Sequence, residues 1–387
     1  MSPIAKKDYL KTVAPRYQKA DRKEKTRILD EFCLNCGYNR KYATYKLCSF
    51  KTKRRPLKPK KKPGPKSKYN TPEILRFLEK VWLTANLPCS KRLKAIIPVW
   101  LVSYQTEFGF LPFDALKKLA KISPSTIDRV LRPFRIEYTG QGRCTTKPGL
   151  ILKHHILIKT NQWDEEKPGF LEADTIAHCG TSMAGVFAHT LDAVDIATGW
   201  TEQRAVYGKG ERAVLDEIKD IENYLPFLML GFDCDNGSEF LNWHLIRHFS
   251  NRKHPVQFTR SRPYHSNDNA HVEQKNWTHV RQWLGYGRFE NPKIVTFLND
   301  LYKTEWRLFH NFFLPSMKLE EKKRIGSRIF KVHDEPKTPY QRLLNSKFVK
   351  KETKEILKEQ FKTLNPFKLR KTIQEKIDRI LKLVRSA

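Results

Sequence analysis

Residues 170–284 constrain the fold most, because their hydrophobic pattern first repeats every two residues and then alternates between strand and helix periods. Strand-like segments occupy 170–177, 183–196 and 200–206, with Ala197-Thr198-Gly199 as the clearest turn. Strand patterns at 227–234 and 256–259 then alternate with helical patterns at 211–224, 240–250 and 270–284. This order predicts an α/β core in which three strands of an antiparallel meander are followed by alternating helices and strands.

Three acidic residues fall at informative places in this pattern. Asp174 lies on the first strand, Asp235 ends the fourth, and Glu273 lies in the first turn of a helix that Asp268 or Asn269 would cap. Asp235 follows Asp174 by 61 positions and Glu273 follows Asp235 by 38, so only folding could bring them together. Carboxylates that meet at strand ends suit a pair of Mg²⁺ ions about 3.5–4 Å apart.

Strand alternation leaves two of these assignments open. Asp233 and Asp235 are two residues apart and point to the same face of a strand, and so do Glu172 and Asp174. The Asn-Gly that follows Asp235 favours that residue over Asp233.

Two strings resemble a known family. The string Asp-Asn-Gly-Ser-Glu-Phe from Asp235 resembles the second-acid motif of DDE transposases and retroviral-type integrases. The string Tyr-His-Ser-Asn-Asp-Asn-Ala-His-Val-Glu-Gln-Lys-Asn from Tyr264 resembles their third-acid helix. The resemblance covers about residues 165–315, and Thr-Pro-Tyr-Gln-Arg-Leu-Leu from Thr338 is similar to a string in bacterial insertion-sequence transposases. It implies a ribonuclease H-like α/β fold for the core, in which a mixed five-stranded sheet carries helices on both faces.

The family resemblance also implies an activity. A DNA transposase of this type first uses water to expose a 3′ hydroxyl, which then attacks a target phosphodiester without a covalent enzyme intermediate. Asp174, Asp235 and Glu273 would be both catalytic residues and metal ligands for two Mg²⁺ ions, with Mn²⁺ as a substitute. Asp174 would bridge the ions, and Asn236 would support the loop of Asp235. Two alternatives remain: a catalytically retired transposase that acts as a repressor or architectural protein, and a nuclease of the same fold.

The charge distribution indicates double-stranded DNA as the partner. The chain of 387 residues has a formal net charge of +33, far beyond what solubility requires. Residues 1–68 hold 22 basic and 5 acidic residues, and residues 320–387 hold 20 and 9. The terminal regions would therefore bind phosphates, while the central region can carry acids.

Helical patterns at the N-terminus predict a helix-turn-helix domain over residues 1–50. Gly37 separates its last two helices, and the third carries the predicted DNA contacts Arg40, Lys41 and Lys46. An ordinary three-helix bundle with a basic face is the alternative. Cys33 and Cys36 are interpreted as helix-core cysteines and not as zinc ligands.

Residues 51–68 read as a basic, proline-rich linker, because ten of its residues are Lys or Arg, four are Pro and none is acidic. It either lies in a minor groove or acts as a basic tether. Its predicted DNA contacts are Arg54, Arg55, Lys60, Lys61 and Lys62.

A second helical domain, similar to a helix-turn-helix, is predicted for residues 69–149. Ser123 would cap its last helix with Pro124 in the first position, and Arg129 would contact DNA. The core domain would span 150–319. Residues 320–387 would form a mostly helical basic region broken at Asn365-Pro366, which binds DNA or another subunit of a homo-oligomer.

Basic residues beside the acids complete the predicted site. Arg260, Arg262 and Lys275 are predicted to contact DNA. Trp277, Trp283 and Tyr286 are interpreted as core residues of the following helix. Because the sequence contains no signal peptide and no long apolar segment, we expect a cytoplasmic, nucleoid-associated bacterial protein without a membrane partner.

Overall fold

The computed structural model of the chain describes residues 1–50, 68–139, 165–234, 237, 239–240, 242–260, 270–325 and 328–385. The chain divides into two compact units, Met1–Lys66 and Ser67–Ala387. None of the described helices is both long and apolar enough to cross a lipid bilayer.

The N-terminal unit contains the three predicted helices. These are α1 (Pro3–Lys19), α2 (Arg22–Cys36) and α3 (Arg40–Ser49). The side chains of Asp21 and Asn39 cap α2 and α3, and Gly37 ends α2 in the left-handed region at φ +64°. Phe32 and Cys36 pack in its core. The turn with Gly37 between two helices is confirmed.

The second unit begins with four helices that share a core with its C-terminal part. They are α4 (Pro72–Thr84), α5 (Ser90–Phe108), α6 (Phe113–Lys121) and α7 (Pro124–Thr139). The Ser123 hydroxyl accepts a hydrogen bond from the Thr126 N–H at 3.2 Å, as its predicted capping role requires. Trp100 on α5 packs edge-on against Phe313 and Phe367. The predicted segments 69–149, 150–319 and 320–387 therefore pack within one unit. The predicted boundary between residues 149 and 150 lies outside the described residues.

A mixed five-stranded sheet forms the centre of this unit, as predicted. Its strands are β1 (Phe170–Ala177), β2 (Ala188–Asp195), β3 (Thr201–Tyr207), β4 (Gly231–Cys234) and β5 (Gln257–Arg260). They lie in the order β3-β2-β1-β4-β5. The first three strands pair antiparallel, whereas β4 pairs parallel with both β1 and β5. β1 and β4 are thus parallel neighbours, and β4 ends beside Ala173 of β1.

Helices cover both faces of the sheet, which confirms that part of the prediction. α8 (Glu211–Tyr224) and α9 (Trp243–Ser250) share a core with Leu171 and Ala173 of β1. The opposite face, around Ile176, packs against the helices that follow β5. These are α10 (Ala270–Lys275), a π-helical segment (Asn276–Arg281), α11 (Gln282–Leu284), α12 (Lys293–Leu301), a second π-helical segment (Tyr302–Trp306) and α13 (Arg307–Phe313).

The C-terminal region is helical only after a β-hairpin. Strands β6 (Leu319–Ile325) and β7 (Arg328–His333) pair antiparallel. They precede α14 (Pro339–Asn345), α15 (Lys351–Thr363) and α16 (Pro366–Arg385). The region is mostly helical, as predicted, but the hairpin at its start was not predicted. The break at Asn365-Pro366 is confirmed, since the Asn365 side chain accepts hydrogen bonds from the Phe367 and Lys368 N–H groups.

The buried His178 makes the stability of this unit depend on pH. Its ring stacks on Phe289 at 4.4 Å, and its Nε2 lies 2.8 Å from the Thr190 hydroxyl. Burial, followed by the charge of Arg281, lowers the pKa of His178 to about 3. Below the ordinary histidine pKa of about 6.5, the unfolded chain binds a proton that the folded chain does not, so this contribution to stability falls as pH falls.

We therefore expect the substitution His178→Gln to cost less unfolding free energy at pH 5 than at pH 7. Relative to the variant, the wild type should lose about 2 kcal/mol of unfolding free energy between these pH values. Urea unfolding followed by tryptophan fluorescence measures this, since all eight tryptophans lie within Ser67–Ala387. His254→Gln, at an exposed position, is the control. An equal pH dependence of wild type and His178→Gln would contradict the prediction.

Candidate functional site

Four acidic side chains lie on one face of the sheet, near the point where β4 ends beside β1. Glu172 and Asp174 are two residues apart on β1 and therefore point to the same face. The strand register places Asp233 of β4 opposite Glu172 and Asp192 of β2 opposite Asp174. The opposite face of β1 carries Leu171 and Ala173, which belong to the apolar core.

Helix α10 lies across this acidic face and is attached to it by hydrogen bonds. Oε2 of Glu172 accepts the backbone N–H groups of His271 at 2.9 Å and of Val272 at 3.1 Å. Asn276, at the start of the π-helical segment, donates from Nδ2 to Oδ2 of Asp174 at 2.6 Å. These bonds fix the helical turn that carries Glu273 against the end of β1.

Glu273 and Asp174 form an acidic pair at the surface. Glu273 is exposed and Asp174 is half-buried. Partial desolvation and then the charge of Asp174 raise the pKa of Glu273 above its ordinary value. Two carboxylates that repel each other in this way favour a cation between them, and hard cations such as Mg²⁺ prefer oxygen ligands. The side chains of Asp174 and Glu273 are therefore suitable metal ligands.

The surroundings of Glu172 distinguish it from Asp174. Glu172 is 1% exposed, and burial raises its pKa to about 8 even though two backbone N–H groups oppose that shift. Its carboxyl group is occupied within the protein, whereas Asp174 reaches the surface beside Glu273. The geometry thus favours Asp174 as the site residue of β1.

The same comparison for β4 is incomplete because Asp235 and Asn236 lie outside the described residues. Asp233 is 2% exposed and accepts the Thr259 hydroxyl at 2.6 Å. The β1–β4 register ends with Ala173 beside Cys234, and in the sequence these are followed by Asp174 and Asp235. Within the described part of the chain, no three His, Cys, Asp or Glu side chains are grouped so that they could hold a metal ion.

Glu239, which belongs to the string that begins at Asp235, ties the segment after β4 to β1. Its Oε1 accepts the Thr175 hydroxyl at 2.8 Å and the Lys209 ammonium at 2.6 Å. Thr175 directly follows Asp174, so this buried contact holds the end of β1. Glu239 is part of the string Asp-Asn-Gly-Ser-Glu-Phe, but the sequence did not predict its contacts with Thr175 and Lys209.

Asp192 is a buried acid that sequence reasoning missed. It is fully buried, and burial raises its pKa to about 7, while a hydrogen bond from Gln203 and the charge of Lys275 oppose that rise. Gln203 donates to its Oδ1 at 2.9 Å. The available signal for this position was an acid between Leu191 and Ala193 within a strand pattern.

Lys275 does not occupy the surface position that was predicted for a DNA contact. It is only 7% exposed, because its side chain faces the sheet, where the charge of Asp192 acts on it. Burial lowers the pKa of Lys275 to about 8, and nearby Arg92 and Arg342 lower it further while Asp192 opposes them. Lys275 is therefore a buried cation on the same helix as Glu273.

Two aromatic residues also depart from the prediction of a core role. Trp277 is 53% exposed and Tyr286 is 64% exposed, with Arg281 over the Tyr286 ring at 4.9 Å. Only Trp283 packs inward, edge-on against Trp306 at 5.1 Å. Helical periodicity beyond Lys275 was a poor guide, because the chain there is π-helical and side chains are displaced around the axis.

The other predicted DNA contacts are partly described. In the N-terminal unit, Arg40 and Lys41 are exposed at the start of α3, where Arg40 also pairs with Asp30, and Lys46 lies over the Tyr42 ring at 5.3 Å. In the second unit, Arg129 and Arg260 are exposed. Five linker residues and one residue beyond β5 lie outside the described residues: Arg54, Arg55, Lys60, Lys61, Lys62 and Arg262.

Comparison with known proteins gives one informative relative. The chain is 34% identical over 348 residues to the uncharacterized protein y4rM of Sinorhizobium fredii, and the alignment covers 88% of this chain and 96% of that protein. No protein-family model matches the chain.

Proposed function

The chain belongs to the same family as y4rM, and from its carboxylates we propose that it is an integrase-type DNA transposase. It would bind the ends of a mobile element and catalyse metal-dependent 3′-end cleavage and strand transfer into target DNA. The observation that carries this proposal is the position of Asp174, which follows the last residue of β1 that pairs with β4 and is bonded to Asn276 in the helical segment that carries Glu273. Asp235, the next residue after β4, would supply the third acid.

The arrangement of the sheet supports a ribonuclease H-like fold for this core. An antiparallel set of three strands is followed by two parallel strands on the far side of β1, with helices on both faces. The acids occupy the edge where parallel strands end, where ligands commonly bind in α/β sheets.

The donor set is suited to divalent metal ions. Asp174, Asp235 and Glu273 would hold two Mg²⁺ ions, or Mn²⁺ in their place. When bound, the pair would activate the attacking oxygen and stabilise the leaving oxygen of a phosphodiester. Asn276 orients the Asp174 carboxylate, Glu172 holds the helix of Glu273, and Glu239 holds the end of β1. These contacts would hold the metal-binding acids in fixed positions.

Double-stranded DNA is the proposed substrate at both the element ends and the target. The net charge of +33 favours a polyanion, and α3 presents exposed basic residues after a helix-turn-helix turn. Because joining needs two ends held together, a homo-oligomer on DNA is part of the proposal, as is a location at the bacterial nucleoid in the cytoplasm.

An assay of purified full-length protein with labelled element ends, a supercoiled target plasmid and Mg²⁺ or Mn²⁺ tests this function. The inverted repeats that flank the gene define the ends. Joined product supports the transposase. Cleavage without joining would instead identify a nuclease, and binding without any reaction would identify a retired transposase that acts as a repressor or architectural protein.

The role of α3 in recognising the ends gives a separate prediction. We expect the double variant Arg40→Gln, Lys41→Gln to bind end DNA about tenfold more weakly at physiological salt. Its slope of log affinity against log salt should decrease by about 2, because two phosphate contacts would be lost. Fluorescence anisotropy at several salt concentrations measures both quantities.

The matched control removes the same charge from α1. Lys7 and Lys19 are exposed there, so Lys7→Gln, Lys19→Gln changes the net charge equally. Equal losses in both double variants would mean that α3 acts only through overall charge and would refute its placement in the groove.

A further inference from the structure

A cavity of about 80 Å³ lies behind the helix that carries Glu273. It is bordered by the connection between α4 and α5, by the helical segment from Gln274 to Trp283, and by the residues after α13. Its polar lining includes Arg92, Lys275, His279, Asn86 and Gln282. None of the described residues that line it is acidic.

The cationic groups of this cavity are incompletely neutralised. Among the described contacts, the Lys275 ammonium has one hydrogen-bond partner, the His279 ring at 3.4 Å. Asp192 attracts Lys275 through space, but Arg92 and Arg342 repel it. Arg342 is neutralised by Asp334 at 2.5 Å. The balance around Lys275 and Arg92 is thus positive.

Arg92 adds a buried donor without an acceptor. Its Nε is inaccessible to solvent and has no hydrogen-bond partner within the described part of the protein. A buried charged donor is costly unless an acceptor satisfies it, so such a group in a native protein indicates a bound water or anion. Two cations that border one cavity favour the anion, because a neutral water would leave their repulsion in place.

The cavity has room for a small anion. Its volume of about 80 Å³ is several times the roughly 10–15 Å³ that a single water requires, so a phosphate group can enter it. Guanidinium, ammonium and side-chain amide groups are the donors that proteins use for phosphate oxygens.

We infer that this cavity, formed by Arg92, Lys275 and Asn86, is a phosphate-binding site. The phosphate comes either from a DNA strand or from free inorganic phosphate, and the first source rests on the proposed function. A phosphate there would bridge α5 and the helix of Glu273, and so hold the two together.

Isothermal titration of the full-length, metal-free protein with inorganic phosphate at constant ionic strength tests the site. We expect saturable binding by the wild type, at least about tenfold weaker in Arg92→Gln. Asn86→Asp should weaken binding similarly, because it places a negative charge at the cavity. This variant keeps the size of the side chain, and Asp tolerates the left-handed conformation of Asn86 at φ +61°. Arg76→Gln, at an exposed position of α4, should bind like the wild type.

Absence of saturable binding by the wild type, or equal binding by wild type, Asn86→Asp and Arg92→Gln, would overturn the inference. A second titration in the presence of element-end DNA distinguishes the sources. Phosphate excluded by DNA would identify a DNA phosphate as the occupant, whereas unchanged uptake would identify free phosphate. Since the first titration requires neither metal nor joining, its result is independent of whether the protein is a transposase.

Discussion

Glu273→Gln will abolish strand cleavage and joining and leave the binding of element-end DNA unchanged. The substitution keeps the shape of an exposed side chain but replaces a carboxylate beside Asp174 with a neutral amide, which is a poor metal ligand. Loss of one acid should lower the joining rate at least about 10³-fold, equivalent to about 4 kcal/mol of transition-state stabilisation. Quantification of joined product on gels, together with anisotropy of labelled ends, measures both properties.

Glu211→Gln is the matched control, since Glu211 is an exposed glutamate at the start of α8 in the same unit. It should join DNA at the wild-type rate. The same loss is expected for Asp235→Asn. Wild-type joining by purified Glu273→Gln would remove Glu273 from the proposed metal site and with it the proposed mechanism.

Local periodicity was sufficient to predict most of the core. The segment 170–177 coincides with β1, and 211–224 coincides with α8, because each carries one clear apolar face. β4 is shorter than predicted: it begins at Gly231, whereas the apolar run begins at residue 227. A continuous apolar run has no alternation that marks where pairing starts, so only the neighbouring strands define its beginning.

The hairpin β6–β7 could not be predicted in the same way. Most of β6 is charged, and Phe330 and Val332 of β7 are about half exposed. Its strands are defined by backbone pairing with each other and not by a buried face. Hydrophobic periodicity indicates which residues are buried, so it does not predict a hairpin that has no buried face.

The sequence predicted the elements that carry two of the acids but not the contacts that support them. Asp174 lies on the first strand, as its strand pattern predicted, and Glu273 lies in a helix, as the string from Tyr264 predicted. Lys275 appeared to be a surface cation in the same string, yet it is buried where the charge of Asp192 on a distant strand acts on it. Such burial depends on contacts between residues that are distant in sequence, and periodicity within a single segment does not predict those contacts.

Glu172→Leu will show how far stability and joining depend on the hydrogen bonds between Glu172 and α10. Oε2 of Glu172 accepts both backbone N–H groups at the start of α10, and leucine would remove the acceptor that they share. Loss of a hydrogen bond to a buried group costs about 1–3 kcal/mol, so we expect the variant to lose about 2–4 kcal/mol of unfolding free energy. Joining should fall about 100-fold, because the turn that carries Glu273 would no longer be fixed against β1. Urea unfolding and the joining assay measure the two losses.

Glu172→Gln tests whether this role depends on charge. A single oxygen accepts both N–H groups, so the amide oxygen of glutamine can replace it. With a pKa of about 8, the Glu172 carboxyl is mostly protonated at pH 7, and the loss of its charge should cost little there. We expect this variant to remain within about 1 kcal/mol of the wild type in stability and within a fewfold in joining rate. If it were as inactive as Glu172→Leu while remaining folded, the negative charge of Glu172 would be required, and Glu172 would have to be counted among the metal ligands beside Asp174.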